Sequence, residues 1–525
     1  MHHSVPFEDA PGFGGFQFQH VATVLLENQQ SPVLATPIVS VEHENELIQI
    51  ALKTLSTGGA DFGDLRLGND FYRTLYCLDT NVTEHDQSEN SGIGIRCLYK
   101  GFWGFAATPD LTPSGVKRCA RQALSLAKGL TACTPSEFSL NMKNWAPEPP
   151  HRGVHHTPVA ICPFTAPLED IVRPLVLGAT AALEVEGIKQ ISSNVIAFGR
   201  RRIFASTEGA HILTTHCMLD STQTYTAVAN DTSAYRTIVG ANMAGGLEHL
   251  IETNYPGRAA EAARDAVTKC HADKPAAGEY DLILDGHNLA LTMHESVGHP
   301  TELDRVLGYE LGFAGGSFAT LDKLNNFEYG SPIVNFTANN RIRFGAASQG
   351  YDDEGVVCQS FPIIKEGQLV GYGTNRETAY QIGLERSNGN CRSTSWADPP
   401  IVRIPNLYLE PGPDPLSLED LIGDTKDGIY MMGRDSFSID QMRMNFQFGS
   451  NMAYRIRDGK LAEPLRDVIY QSISTEFWRS CDAICDADHW QMHGVFNCGK
   501  GQPMQLAKMT HGAAPARFRN IRVGY

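Results

Sequence analysis

The chain has 525 residues, 42% of them hydrophobic, with 43 basic against 59 acidic side chains and a net charge of −16. It is too long for one ordinary hydrophobic core, so two or three domains are expected, and too apolar for a disordered chain. The acidic balance excludes nonspecific nucleic-acid binding, which needs a basic surface, and no apolar run reaches the about 18 residues of a membrane helix.

The opening stretch, "MHHSVPFEDAPGFGGFQFQH", has acids, glycines and aromatics where a secretory signal carries an apolar block, so a cytoplasmic location is expected. Twelve irregularly spaced cysteines without a CxxC pair agree with a reducing compartment. The Asn-x-Ser/Thr triplets at Asn81, Asn230 and Asn335 then carry no meaning.

Residues 1–43 are weakly patterned and read as an extension. A helical period begins in "ENELIQIALKTL", with Leu47, Ile48, Ala51 and Leu55 on one face. "GIGIRCLYKGFWGFAAT" (92–108) reads as a hairpin in which Ile93, Ile95 and Cys97 alternate and Lys100-Gly101 turns. A helix over 114–127 completes an N-terminal α/β domain, residues 44–145. Residues 146–164 are Pro-rich and fit a linker, in which His155 and His156 are expected to be solvated. A central α/β segment, 165–274, contains the helix "LEDIVRPLVLGATAALEVE" and the hairpin "VIAFGRRRIFASTEGAHI", where Arg200-Arg201-Arg202 reads as a solvated loop end. A further helix, "RAAEAARDAVTKC", leads into residues 275–525, which are strand-rich. Turns at Glu366-Gly367 and Asp458-Gly459 mark hairpins, and "IPNLYLEPGPDPLS" (404–417) reads as a Pro/Gly-rich excursion. The fold class predicted is α+β: an N-terminal mixed α/β domain, then a C-terminal domain dominated by antiparallel β-sheet that carries a metal-binding helix.

That helix lies in "EYDLILDGHNLALTMHESVGHP" (279–300): a buried strand, a cap at Asp285 or Asn288, and an apolar stripe of Ala290, Met293 and Val297. His294-Glu295 followed by His299 points to two imidazole ligands for a divalent metal, most simply zinc, with Glu295 as base. The common spacing of such histidines is four, which puts them on one face. Five is about 500° around an ideal helix and swings the second ring some 140° away. Gly298 permits a helix end or bulge and Pro300 disfavours the α region at His299, so the chain is expected to leave the helix there and bend His299 back. The alternative is a pair of ordinary histidines beside a salt-bridged glutamate. A third ligand is needed. Cys481, Cys485, His489 and His493 recur every four residues, which on a helix makes a stripe ~18 Å long that cannot converge on one ion. Cys498 follows Gly494 and precedes "GKGQP", on a turn or strand end where a thiolate could face a cleft.

"GEYDLILDGHNLALTMHESVGHPTELDRVLGYE", with "GYDDEGV" (350–356), "TNRETA" (374–379), "VRIPNLYLEPG" (402–412) and "FNCGKGQP" (496–503), is similar to the TldD/PmbA family of metallopeptidases. "DFGDLRL" and "GIGIRCLYKGFWGFAAT" resemble that family's opening domain, so the likeness spans roughly residues 45–525. The resemblance implies one zinc per chain on His294, His299 and Cys498, with Glu295 as catalytic base. It also implies hydrolysis of unfolded or short peptides in a closed cleft, and a homodimer or a heterodimer with a motif-lacking paralogue. The alternative function is a non-catalytic peptide-binding or scaffolding subunit of such a complex, which would be expected to have lost Glu295 or a ligand. A structural zinc site would be closed by four ligands and has no use for Glu295. A regulator acting on DNA directly is disfavoured by the acidic balance.

Overall fold

The computed structural model describes residues 6–9, 11, 32–229, 231–240 and 242–524. The N-terminal half is built on an eight-stranded sheet of β1 (Phe62–Leu78), β2 (Asn81–Tyr99), β3 (Phe102–Thr108), β4 (Arg152–His156), β5 (Ile188–Ser206), β6 (His211–Ala229), β7 (Thr232–Val239) and β8 (Met243–Ala244). The strand order is β3-β2-β1-β5-β6-β4, with β7 and β8 also paired to β6. Lys100 and Gly101 both take positive φ, 51° and 81°, as a two-residue hairpin turn requires.

Side chains alternate between the faces of a strand, and here both faces are covered. Leu65, Leu67, Phe71 and Leu75 of β1, with Val195, Ala197, Ile203 and Ala205 of β5, are buried in cores shared with the helices Val41–Thr57, Pro113–Cys133, Leu168–Leu183 and Tyr255–His271. The intervening Asp64, Arg66, Asp70, Arg200 and Arg202 are also buried. They meet the C-terminal half at Asp353, Ser393 and Thr394. Arg200-Arg201-Arg202 is therefore no loop end. Arg200 pairs with Asp70 at 2.8 Å and Arg202 with Asp353 at 2.7 Å, while Arg201 points the other way to Glu44 at 2.8 Å. Charges stay ionised in such a setting only when paired.

The Pro-rich stretch is no free linker either. β4 joins β6 in parallel register, which buries His155 and sets His156 Nδ1 2.7 Å from Thr215 Oγ1. β1 pairs with β5 from Asp64↔Ser206 to Leu78↔Ser192. Residues 44–145 and 165–274 thus share one sheet rather than forming separate units. Within 1–43, Pro32–Ala35 forms a helical turn that buries Leu34, and Glu8 reaches Arg341 at 2.9 Å. Residues 12–31 and Asn230 lie outside the described residues.

The C-terminal half has two larger sheets, predominantly antiparallel. In a seven-stranded one, Gly278–Leu284 lies between Asp427–Ile439 and Ala516–Val523. In the other, six-stranded, Leu407–Leu409 lies between Phe336–Asn339 and Gln505–Ala513, so the expected excursion at 404–417 supplies an inner strand. Glu366-Gly367 and Asp458-Gly459 turn as expected, all four with positive φ. No helix among the described residues is long and apolar enough to cross a membrane.

Candidate metal centre

Asp285 ends the strand Gly278–Leu284 and caps the helix Gly286–Met293. Its Oδ1 accepts from Asn288 N at 2.7 Å and its Oδ2 from Gly433 N at 2.9 Å. The helix then widens into a π turn over His294–Gly298, where His299 N–H donates to His294 O, and tightens to a 3-10 turn over His299–Thr301. An i→i+5 backbone bond brings residue 299 over residue 294. This is how a spacing of five serves two rings on one side: their centroids are 4.8 Å apart at 80°. The expected route differs in detail. His299 keeps helical angles, φ −61° and ψ −42°, despite the following proline. Gly298 is also helical, and its role is close packing, since a Cβ there would lie 2.9 Å from Ile404 Cγ2.

Cys498 reaches the same point from the strand Gln491–Lys500, whose register against Gln505–Ala513 slips between Val495 and Cys498. Such a slip re-aims a side chain. Cys498 Sγ is 3.5 Å from His299 Nε2, and the ligand atoms of His294, His299 and Cys498 all lie within 4.8 Å of one another, fully buried. Burial alone would raise the thiol, but His299 and Arg403 outweigh it and hold it below the ordinary thiol value. Arg403 Nη2 lies 3.3 Å from Sγ. Burial holds His294 down to about 4 and also lowers His299, which favours the neutral form of both imidazoles. Neutral imidazoles and a thiolate-prone cysteine are the protonation states a transition metal requires.

The outer partners orient the rings. His299 Nδ1 lies 2.8 Å from Glu302 Oε2, which directs Nε2 toward Cys498. Burial would raise Glu302, but Lys500 and His299 outweigh it and hold the carboxylate well below its usual range. Lys500 Nζ is 3.3 Å from Glu302 and 2.6 Å from Asp304. His294 Nδ1 lies 2.8 Å from His511 Nε2, and His511 Nδ1 lies 3.2 Å from Leu407 O. If His294 donates to His511, and His511 to that carbonyl, His294 Nε2 is left free for a metal.

Glu295, one position round from His294, accepts from Arg443 Nη1 at 2.5 Å. His294, Glu295, His299 and Cys498 line a cleft of about 510 Å³ between the two halves, to which β7 contributes Arg236. Among the described residues, His294, His299 and Cys498 are the His/Cys/Asp/Glu group with metal-binding spacing. The stretch 481–493 behaves otherwise than its period of four suggests. Cys481 and Cys485 are buried in the C-terminal core around the strand Cys481–Ile484, and His489 bonds Asp486 at 2.9 Å. His493 lies on the next strand, stacked 5.0 Å from His287. The helical premise fails there. Arg443, His511 and Arg403 were not anticipated; each is distant in sequence from the His-Glu motif and stands in no recognisable spacing with it.

Two buried histidines and a cysteine within reach of one another, lining a cleft beside a carboxylate, are a donor set that a divalent transition metal can use. The chain belongs to the PmbA/TldD metallopeptidase family. The family's C-terminal domain model ("PmbA/TldA metallopeptidase C-terminal domain") matches residues 277–524 and its domain 1 model residues 63–127. A metalloprotease of Methanothermobacter thermautotrophicus is 27% identical over 477 residues, covering 88% of this chain and 95% of that one. A protein of Saccharolobus solfataricus named a zinc metalloprotease TldD homolog is 23% identical, covering 89% and 97%. The crystal structure of TldE from Thermococcus kodakarensis has the same fold, with a TM-score of 0.69 over 92% of this chain and all of that one at 15% identity.

Proposed function

We propose that this chain is a zinc-dependent peptidase that cuts unfolded or short peptides, with His294, His299 and Cys498 as ligands and Glu295 as general base. The observation that carries the reading is the convergence of three buried ligand atoms within 4.8 Å, at the edge of a cleft that Glu295 also lines. Three nitrogen and sulfur donors leave a fourth position for water or substrate, whereas a structural site is closed by four. The chemistry that zinc supplies when bound there is Lewis acidity toward a peptide carbonyl and toward water.

The chain's own residues divide the remaining work. Glu295 receives the proton of the attacking water and hands it to the leaving amine. Arg443 holds the Glu295 carboxylate in place. Glu302 and His511 fix the two imidazole rings, and Arg403 balances the thiolate. An extended peptide would lie in the cleft with little demand on side-chain identity. The working form is a homodimer or a pairing with a motif-lacking paralogue. Exposed Leu311 and Met442, which approach each other across Gly316 near Arg443, offer apolar surface for that contact. Retention of Glu295 and all three ligands favours a catalytic rather than a scaffolding subunit.

The test is metal removal. Hydrolysis of an unfolded peptide falls to background after chelation and returns on adding about one zinc per chain. Undiminished hydrolysis by metal-free protein would overturn the proposal.

A further inference from the structure

A second polar cavity lies at the seam between the two halves, behind the strand that carries Cys498. It is small, about 30 Å³. Phe198, Arg200, His216 and Met218 of β5 and β6 form one side, with Arg200 opposite His216 and Phe198 opposite Met218 in register. The C-terminal half adds Gln349, Arg392 and Lys508. Every titratable group in this lining is basic.

Three nitrogen atoms of this lining, His216 Nε2, Gln349 Nε2 and Arg392 Nε, are buried without a hydrogen-bond partner, on side chains more than nine-tenths buried. Two cations there also have no carboxylate partner among the described residues. Arg392 donates to the carbonyls of Lys508 and Ile404, and Lys508 Nζ sits 4.2 Å over the Phe198 ring. The acids in reach are committed or weakened. Asp70 pairs with Arg200 and Asp353 with Arg202, while burial raises Asp220 above the usual carboxylate range. Leaving charged donors unmet in a buried site is costly. An anion accepts from these donors and also offsets the charge of Arg392 and Lys508, which a neutral water does not. A cavity of this size suits a small inorganic anion rather than a bulky ligand.

We propose that this cavity is a binding site for a monovalent, halide-sized anion, with chloride as its natural occupant, held by Lys508, Arg392, His216 and Gln349. The anion neutralises the buried Arg392 and the partly buried Lys508 where the N-terminal sheet meets the segments 346–349, 392–394 and 506–508, and so ties the halves together.

Two measurements on the whole chain decide it. Melting temperature is compared in sodium chloride and sodium gluconate at equal ionic strength, for the wild type and for Lys508→Met, whose lost ammonium makes no hydrogen bond to break. Crystals of the wild type are soaked in millimolar sodium bromide and read by anomalous scattering. The proposal expects a saturable rise of several degrees in chloride, weakened at least tenfold in midpoint by Lys508→Met, and a bromide peak among the four named side chains. Equal melting temperatures in the two salts, or a cavity containing water only, would overturn it.

Discussion

Glu295→Gln is expected to cut peptide hydrolysis by orders of magnitude and to leave bound zinc in place. The amide has nearly the shape of the carboxylate and can still accept from Arg443 Nη1, so the 2.5 Å contact and the π turn that carries residue 295 survive. The change removes the capacity to take a proton from water. Positioned general bases contribute roughly 10²–10⁴-fold, and a loss of that size in kcat at unchanged zinc content is expected. Metal analysis beside a peptide assay reads both. Hydrolysis retained at full rate would show that Glu295 serves only as the partner of Arg443.

Cys498→Ala has the largest expected effect on the metal. Removing an outer partner of a ligand costs roughly 10–100-fold in affinity. Glu302→Gln, which weakens the 2.8 Å contact to His299 without touching a proposed ligand, should stay within that range. Cys498→Ala should exceed it clearly, because it removes a proposed ligand and leaves Arg403 facing the vacated position. Zinc remaining after dialysis against a graded series of chelators orders the three proteins: wild type, Glu302→Gln, then Cys498→Ala. If the alanine variant held zinc as tightly as the glutamine variant, Cys498 would be a neighbour of the metal and not its ligand.

Much of the arrangement was legible in the sequence, and the failures share a cause. Leu47, Ile48, Ala51 and Leu55 announced their helix because one side of it is buried, and turn pairs such as Asp458-Gly459 announced hairpins because their backbone needs positive φ. Arg200-Arg201-Arg202 misled because three adjacent charges imply solvent, unless both faces of the strand are covered by partners more than a hundred residues away in the chain. His155 misled for a similar reason, since its strand is completed by β6 rather than by anything nearby. The period of four at 481–493 mimicked a helix, but edge-strand pairing overrode it. At the site, the anomalous spacing of His294 and His299 was visible, and so was the need for a bend. Its form, a π turn with His299 still helical, depends on backbone bonding that spacing alone does not specify. The orienting shell of His511, Arg403 and Arg443 is assembled from three other segments, so no local pattern could reveal it.

The most direct test is the zinc K-edge X-ray absorption spectrum of the purified, zinc-loaded chain. The proposed site should give one sulfur neighbour at about 2.3 Å and nitrogen or oxygen neighbours at about 2.0–2.1 Å, with the multiple scattering of two imidazoles. A spectrum with no sulfur, or one dominated by several, would contradict the assignment of His294, His299 and Cys498.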